Sequence, residues 1–208
     1  MVSIEAMSAK TRELELHQIS VSKMDNNCYL LVDGEEAMLI DAADDATALL
    51  ELAEQAGAKI TAVLTTHRHA DHVRALQEVL EATGARHYAS VQDADALPAP
   101  VDVRLDDGDT ITLGDSTLDV RILRGHTPGG VAVIAEIDGD THAFVGDSLF
   151  PGGVGKTENP EEFHQLLDDV TYRLFDCYDD AIIHPGHGEP TTLAEERGSL
   201  DRWRERGW

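Results

Sequence analysis

Cysteine is nearly absent: the 208 residues hold two, Cys28 and Cys177, far apart and outside any Cys-x-x-Cys spacing. This argues against a disulfide framework or a thiolate zinc site, and both are expected to be small buried residues. Lysine is scarce as well. Only four of the 16 cations are Lys (Lys10, Lys23, Lys59, Lys156), against 40 acids, and the formal net charge is −24. A surface this negative repels phosphate backbones and anionic headgroups, which makes nucleic acid and membrane poor partners. No window approaches 18 apolar residues, and the opening stretch MVSIEAMSAKTRELEL has no apolar core of the secretory kind. The expectation is a soluble, cytoplasmic protein.

What is present is ordinary globular composition, 42% hydrophobic and 27% charged, at the length of one domain. Residues 1–208 are read as a single domain, with no linker, low-complexity segment or short repeat. The acids are spread along the chain rather than gathered in a tail. They fit either a merely acidic cytosolic protein or a halophilic one, whose dense carboxylates stay hydrated in salt.

Alternation and short apolar runs predict strands over 12–19, 28–33, 37–41 and 60–64. A helix begins at Asp44 and closes at Gly57, and a second runs over 73–83 ahead of Gly84. Residues 86–89 read as a strand and 91–97 as a short helix stopped by Pro98. The strand-rich theme then repeats over 109–113, 117–123, 131–137 and 141–145, the last two joined by Asp138-Gly139-Asp140. A helix over 160–174 and a strand over 181–183 follow. Strands then helices, twice, predict an α/β (α+β) fold with a sheet core and helices outside.

The chemistry begins where the strand ending at Leu64 stops. Thr66-His67-Arg68-His69-Ala70-Asp71-His72 places three of the ten histidines and a carboxylate within six positions. Imidazole and carboxylate are donors that borderline divalent metals accept. Three further donors follow strand ends: His126 in Gly125-His126-Thr127-Pro128-Gly129, Asp147 in Gly146-Asp147-Ser148, and His187 in Pro185-Gly186-His187-Gly188. Their glycines and prolines let the backbone turn sharply. With His67, His69, Asp71 and His72 they make a set of seven.

These four motifs, in this order, resemble the metallo-β-lactamase-fold hydrolases, and within them the glyoxalase II-like (hydroxyacylglutathione hydrolase-like) branch. The resemblance spans residues 65–188. It implies an αββα sandwich with a dimetal site at one edge. One metal would be held by His67, His69 and His126, the other by Asp71, His72 and His187, and Asp147 would bridge them. Zinc is the first expectation, with iron or manganese accepting the same donors. Two such ions share a water, lower its pKa and polarise a substrate oxygen. The expected reaction is therefore attack of a bridging hydroxide on an ester-type carbonyl, a thioester above all, with Asp71 also orienting that hydroxide as a catalytic group.

Around this set, Asp41 resembles a buried acid supporting the metal loops, or is a plain strand-end acid. His17, His87, His142 and His164 carry no expected catalytic duty, and His184 is expected to make a structural hydrogen bond. Gly152-Gly153-Val154-Gly155-Lys156-Thr157 looks like a phosphate loop, but Phe150 stands where that loop needs its first glycine. In relatives the loop after the bridging Asp supplies a basic residue to substrate. Lys156 is thus either a substrate-binding residue or a solvated surface lysine.

Glyoxalase II proper carries a helical C-terminal extension that grips glutathione. Here 21 residues (208 minus 187) follow His187, and 195–208 are expected to form at most a short helix around Trp203. Other readings of the same scaffold are a mononuclear iron persulfide dioxygenase, a lactonase and a non-catalytic metal-binding protein. The tyrosine lactonases place shortly after the bridging Asp is replaced here by Phe150. A nuclease would need a cationic track, which the charge argues against.

Overall fold

The computed structural model describes residues 14–207. Strand β1, Glu15–Val21, pairs antiparallel with β2, Asn26–Asp33, which turns through Gly34 into β3, Glu36–Ile40. Every residue of β2 is buried, so both of its faces meet apolar layers. Helix α1, Ala46–Gln55, is capped by the Asp45 carboxylate on the Ala48 N–H and leads to β4, Lys59–Leu64, parallel to β3. A 3₁₀ turn, Ala70–His72, precedes α2, Leu76–Thr83, and then β5, Arg86–Ser90, and β6, Val103–Leu105, complete a sheet in the order β1-β2-β3-β4-β5-β6.

The second half builds a matching sheet. Strands β7, Thr110–Leu113, β8, Ser116–Leu123, β9, Gly130–Ile137, and β10, Asp140–Gly146, form an antiparallel meander. A two-residue hairpin follows, β11, Leu149–Phe150, and β12, Gly153–Val154. Helix α3, Pro160–Val170, starts at the Asn159 cap with proline in its first turn, where a missing N–H costs nothing. Strand β13, Ile182–Pro185, pairs parallel with β10, and β14, Thr191–Thr192, closes the edge. Two short helices end the described chain, α4, Leu193–Arg197, and α5, Leu200–Arg206.

Side-chain alternation sorts these elements into four layers. Tyr29, Leu31, Met38 and Ile40 face Leu118, Val120, Val133 and Phe144 across the two sheets. Cys28, Leu30 and Leu39 point the other way, to Leu49, Leu76 and Val79 of α1 and α2. On the far side Ile134, Val145 and Ile183 pack on Phe163, Leu167 and Trp203 of α3 and α5. The architecture is the αββα sandwich.

The structure corrects several local expectations. The strand expected from residue 12 starts at Glu15, and residues 12 and 13 lie outside the described residues. Helix α2 begins at Leu76 rather than Val73, because the chain before it is still turning to aim His72 at Asp41. Residues 91–97 hold only a 3₁₀ turn, Ala94–Ala96, and the 160–174 helix gives way to a π-helical turn over Thr171–Phe175. The tail holds two helices where at most one was expected, because Trp203 and Leu193 have an apolar face to cover. Cys28 is buried and its thiol is pushed up to about 12 by that burial, but Cys177 is exposed, just beyond the π-helical turn. Among the described residues no helix is long and apolar enough to cross a membrane.

Candidate metal centre

The seven predicted donors gather at one edge of the sandwich, on loops leaving β4, β8, β10 and β13. Gly125, Gly146 and Gly186 let three of these loops turn beside their donors, while the loop after β4 is held by the bonds of Thr66 to Asp41. Gly186 marks how tight the approach is: a Cβ on it would meet Asp147 Oδ1 and come within 2.7 Å of His72 Cε1. Gly155 is similarly hemmed in by the Asp147 carbonyl.

Two groups of three form. The donor atoms of His67, His69 and His126 lie within 4.8 Å of one another, as do those of Asp71, His72 and His187. A third combination, Asp41 with His67 and His72, meets the same distance, but hydrogen bonds already occupy the Asp41 oxygens. Asp147 stands between the two groups. Its Oδ2 is 3.6 Å from His126 Nε2 and 3.5 Å from His187 Nε2, and its Oδ1 is 3.5 Å from His72 Nε2.

Hydrogen bonds on the far side of four rings decide which nitrogen faces the centre. Nδ1 of His72 donates to Asp41 Oδ2 at 2.8 Å, Nδ1 of His126 to the Lys156 carbonyl at 2.7 Å, and Nδ1 of His187 to the Met24 carbonyl at 2.8 Å. His67 Nδ1 donates to Thr66 Oγ1 at 3.0 Å, and that hydroxyl in turn donates to Asp41 Oδ2 at 2.7 Å. Such bonds fix the tautomer and leave Nε2 with its lone pair free. Asp41, 1% exposed, also accepts from the Thr66 N–H at 2.7 Å, so it ties the end of β3 to the first donor loop.

The inward atoms fit a cation. Nε2 of His67, Nε2 of His126 and Oδ1 of Asp147 are buried with no hydrogen-bond partner, an arrangement costly unless something positive satisfies them. His72 Nε2 and His187 Nε2 sit 3.1 Å apart, a separation that needs a proton or a cation between two lone pairs. The titration trends agree. Burial and the neighbouring imidazoles hold the His67 pKa well below its ordinary value, and burial lowers His69 in the same direction. Burial alone would lower His72 too, but Asp41 and Asp147 outweigh it and push the ring up to about 10 without a metal. Burial opposes ionisation of Asp71, yet the Asn26 hydrogen bond and His72 hold its pKa below the usual carboxylate range. His67 and His69 held neutral beside an ionised Asp71 are the donor states a divalent ion requires, whereas His72, whose protonated form Asp41 and Asp147 favour, must release that proton to bind one.

Several contributors have no motif to announce them. Asn26 and Asn27 open β2 at 0% and 2% exposure, and nothing in the residue type or spacing of an Asn-Asn pair announces that burial. Asn26 Nδ2 donates to Asp71 Oδ2 at 3.0 Å, and Asn27 Nδ2 donates to the carbonyls of Pro185 and Gly188, bracing the His187 loop. Asp93 accepts from the Arg68 N–H at 3.2 Å and from Thr127 Oγ1 at 2.7 Å, joining the first and second donor loops. Lys156 is exposed and lines a cavity of about 440 Å³ with Phe150, Val154, Phe163 and Arg206, on the loop whose carbonyl holds His126. Of the other histidines, His184 Nε2 meets His142 Nδ1 at 2.9 Å, and buried His87 bonds Thr65 Oγ1 and the Pro100 carbonyl.

Comparison with known proteins follows the same lines. The sequence profile of the Metallo-beta-lactamase superfamily matches residues 22–187. Hydroxyacylglutathione hydrolase GloC of Haemophilus influenzae is 30% identical over 206 residues, covering 89% of this chain and 96% of that protein. Hydroxyacylglutathione hydrolase of Fuscovulum blasticum is 40% identical over 134 residues, covering 64% of this chain, and the match spans about half of its length, 51%. Among solved structures, TTHA1623 in a di-iron-bound form superposes with a TM-score of 0.75 at 32% identity, covering 87% of this chain and 96% of that one.

Proposed function

The chain belongs to the metallo-β-lactamase superfamily and is a metal-dependent hydrolase, and from that premise we propose that it carries two metal ions and hydrolyses acyl thioesters. The observation that supports two ions rather than one is Asp147, whose two oxygens face both donor groups at 3.5–3.6 Å. His67, His69 and His126 would hold one ion, Asp71, His72 and His187 the other, with Asp147 shared. When bound, the pair supplies an activated water and polarises the substrate carbonyl.

The chain's own residues do the rest. Asp71 Oδ2, fixed by Asn26 and 3.3 Å from His187 Nε2, is placed to accept a hydrogen bond from the attacking water and so orient it. Water adds to the thioester carbon, the C–S bond breaks, and the products are a carboxylic acid and a thiol. Neither cysteine is needed as a nucleophile: Cys28 is buried with a raised pKa among α1 and α2, and Cys177 Sγ bonds the Tyr172 carbonyl outside the centre.

Lys156, at the rim of its cavity beside Phe150 and Val154, would hold an anionic part of the substrate. Lys156→Ala should then raise KM with kcat little changed, and an unchanged KM removes it from the site. The substrate would be a small molecule and the compartment the cytoplasm, and the net charge of −24 disfavours nucleic acid as a partner.

Metal analysis with a substrate screen on one preparation tests the proposal. Two equivalents of zinc, iron or manganese with hydrolysis of an acyl thioester are expected. Fewer than one equivalent after reconstitution, or turnover of lactones alone, overturns it. One iron with oxygen uptake on a persulfide would identify the dioxygenase instead.

A further inference from the structure

Beside His126 a second recess of about 350 Å³ opens, and its lining includes His69 and His126 together with Arg68 and Arg124. Anything seated in it touches two members of the first donor group. Neither arginine is one of the seven candidate donors: Arg68 stands between His67 and His69, and Arg124 precedes the glycine that turns the chain toward His126.

Both guanidinium groups are backed by a buried acid. Arg124 Nε and Nη2 donate to Asp169 Oδ2 and Oδ1, each at 2.8 Å, and Asp169 is 4% exposed. Arg68 Nε lies 3.8 Å from Asp93 Oδ1, an atom with no hydrogen-bond partner, and Asp93 is 1% exposed. The arginine side chains themselves remain 41% and 42% exposed. The bidentate pair fixes the plane of the Arg124 guanidinium and leaves its remaining N–H groups for a second carboxylate, while Arg68, beyond hydrogen-bond distance of Asp93, is drawn toward it by charge alone. Of the acids lining the recess, Glu162 is engaged at the start of α3, where its Oε2 accepts from the Glu158 N–H at 3.0 Å. Glu158 stands exposed in solvent, where its repulsion is screened. In a chain with 40 acids against 16 cations, two arginines, one of them anchored, line the same recess as His69 and His126.

We propose that this recess is a carboxylate subsite, in which Arg68 and Arg124 hold a carboxylate of the substrate while the scissile carbonyl lies at the His69–His126 edge. This rests on the thioester reading and adds the two residues that would meet a substrate carboxylate, on the acyl or the thiol side of the scissile bond.

Matched thioesters decide it with metal-loaded wild type, Arg68→Gln, Arg124→Gln and Arg124→Lys. Succinyl against butanoyl N-acetylcysteamine reads the acyl side. Butanoyl 3-mercaptopropionate against butanoyl N-acetylcysteamine reads the thiol side. In one of the two pairs wild type should favour the charged member in kcat/KM, and that preference should fall about tenfold in each Gln variant, the size of one charge-assisted contact, chiefly through KM. Arg124→Lys should recover part of it. The same preference in wild type and variants, in both pairs, overturns the subsite. If wild type cleaves no thioester, the proposed function falls, and the subsite is read separately by calorimetric binding of glutarate to the metal-loaded proteins. A Kd weakened about tenfold in the Gln variants then supports it, and equal values overturn it.

Discussion

His69 and Asp41 show how differently two residues of one centre are held. His69 is exposed on its loop, so His69→Ala leaves no cavity and removes only a donor from the group with His67 and His126. In the metal-free state its stability should stay within about 0.5 kcal/mol of wild type. Turnover should nonetheless fall by more than the roughly 10–100-fold typical of losing a group behind a ligand. Urea unfolding of the stripped protein and kcat of the reconstituted one check this together. Asp41 is buried and accepts three hydrogen bonds, from Thr66 N, Thr66 Oγ1 and His72 Nδ1, at 2.7, 2.7 and 2.8 Å. Asp41→Asn keeps the shape and tolerates the backbone φ of 60°, but one of its two acceptors becomes a donor. Metal affinity should weaken about 10–100-fold, read by competition with a chelator. The donors themselves could be recognised in the sequence because residue type and loop position both speak for them. Asn26 could not, since its role depends on Asp71, 45 positions away.

Among elements, the long strands were legible either from apolar runs, as in β2 and β9, which bury nearly every residue, or from alternation, as in β8. The short ones were not: β6 has three residues, and β11, β12 and β14 have two each, too few for any period to register. These pieces still matter, since the β11–β12 hairpin carries the loop that holds His126. The β10–β13 pair makes two further predictions. Gly186, at the end of β13, leaves no room for a Cβ against Asp147 and His72, so Gly186→Ala should reduce bound metal more than it reduces secondary structure, as metal analysis beside circular dichroism would show. Within β13, burial and His142 lower the His184 pKa to about 4. The unfolded chain takes this proton near 6.5 and the folded one only near 4, so stability present above pH 6.5 declines as pH falls between those values. The decline has a ceiling of about 3 kcal/mol, and His184→Leu should lack it. Unfolding curves of wild type and variant that run parallel from pH 7 to pH 4 would remove His184 as the cause.

For the whole molecule the question is what 40 acids do when the seven candidate donors use only Asp71 and Asp147. Some acids are paired, but the pairs are mostly at the surface, such as Arg74–Asp44, Arg104–Asp95 and Arg204–Asp168. Exposed pairs contribute about 0–1 kcal/mol each and weaken in salt. Against them stands an excess of 24 acids (40 minus 16) with no cation in the chain to meet, whose mutual repulsion opposes the folded state and is relieved by the same salt. The repulsion outnumbers the attraction, so added salt should stabilise the protein. The shape of the response identifies the cause: screening acts mainly while the Debye length falls from about 10 Å at 0.1 M to about 3 Å at 1 M, and then saturates. A salting-out effect on apolar burial keeps growing with concentration and is stronger for sulfate than chloride. Thermal unfolding of the metal-loaded protein across that range of KCl should therefore show a midpoint that rises steeply at first and levels off. A flat or falling midpoint would remove salt adaptation from the account and leave the excess acids without that role, while the hydrolase and its centre would stand unchanged.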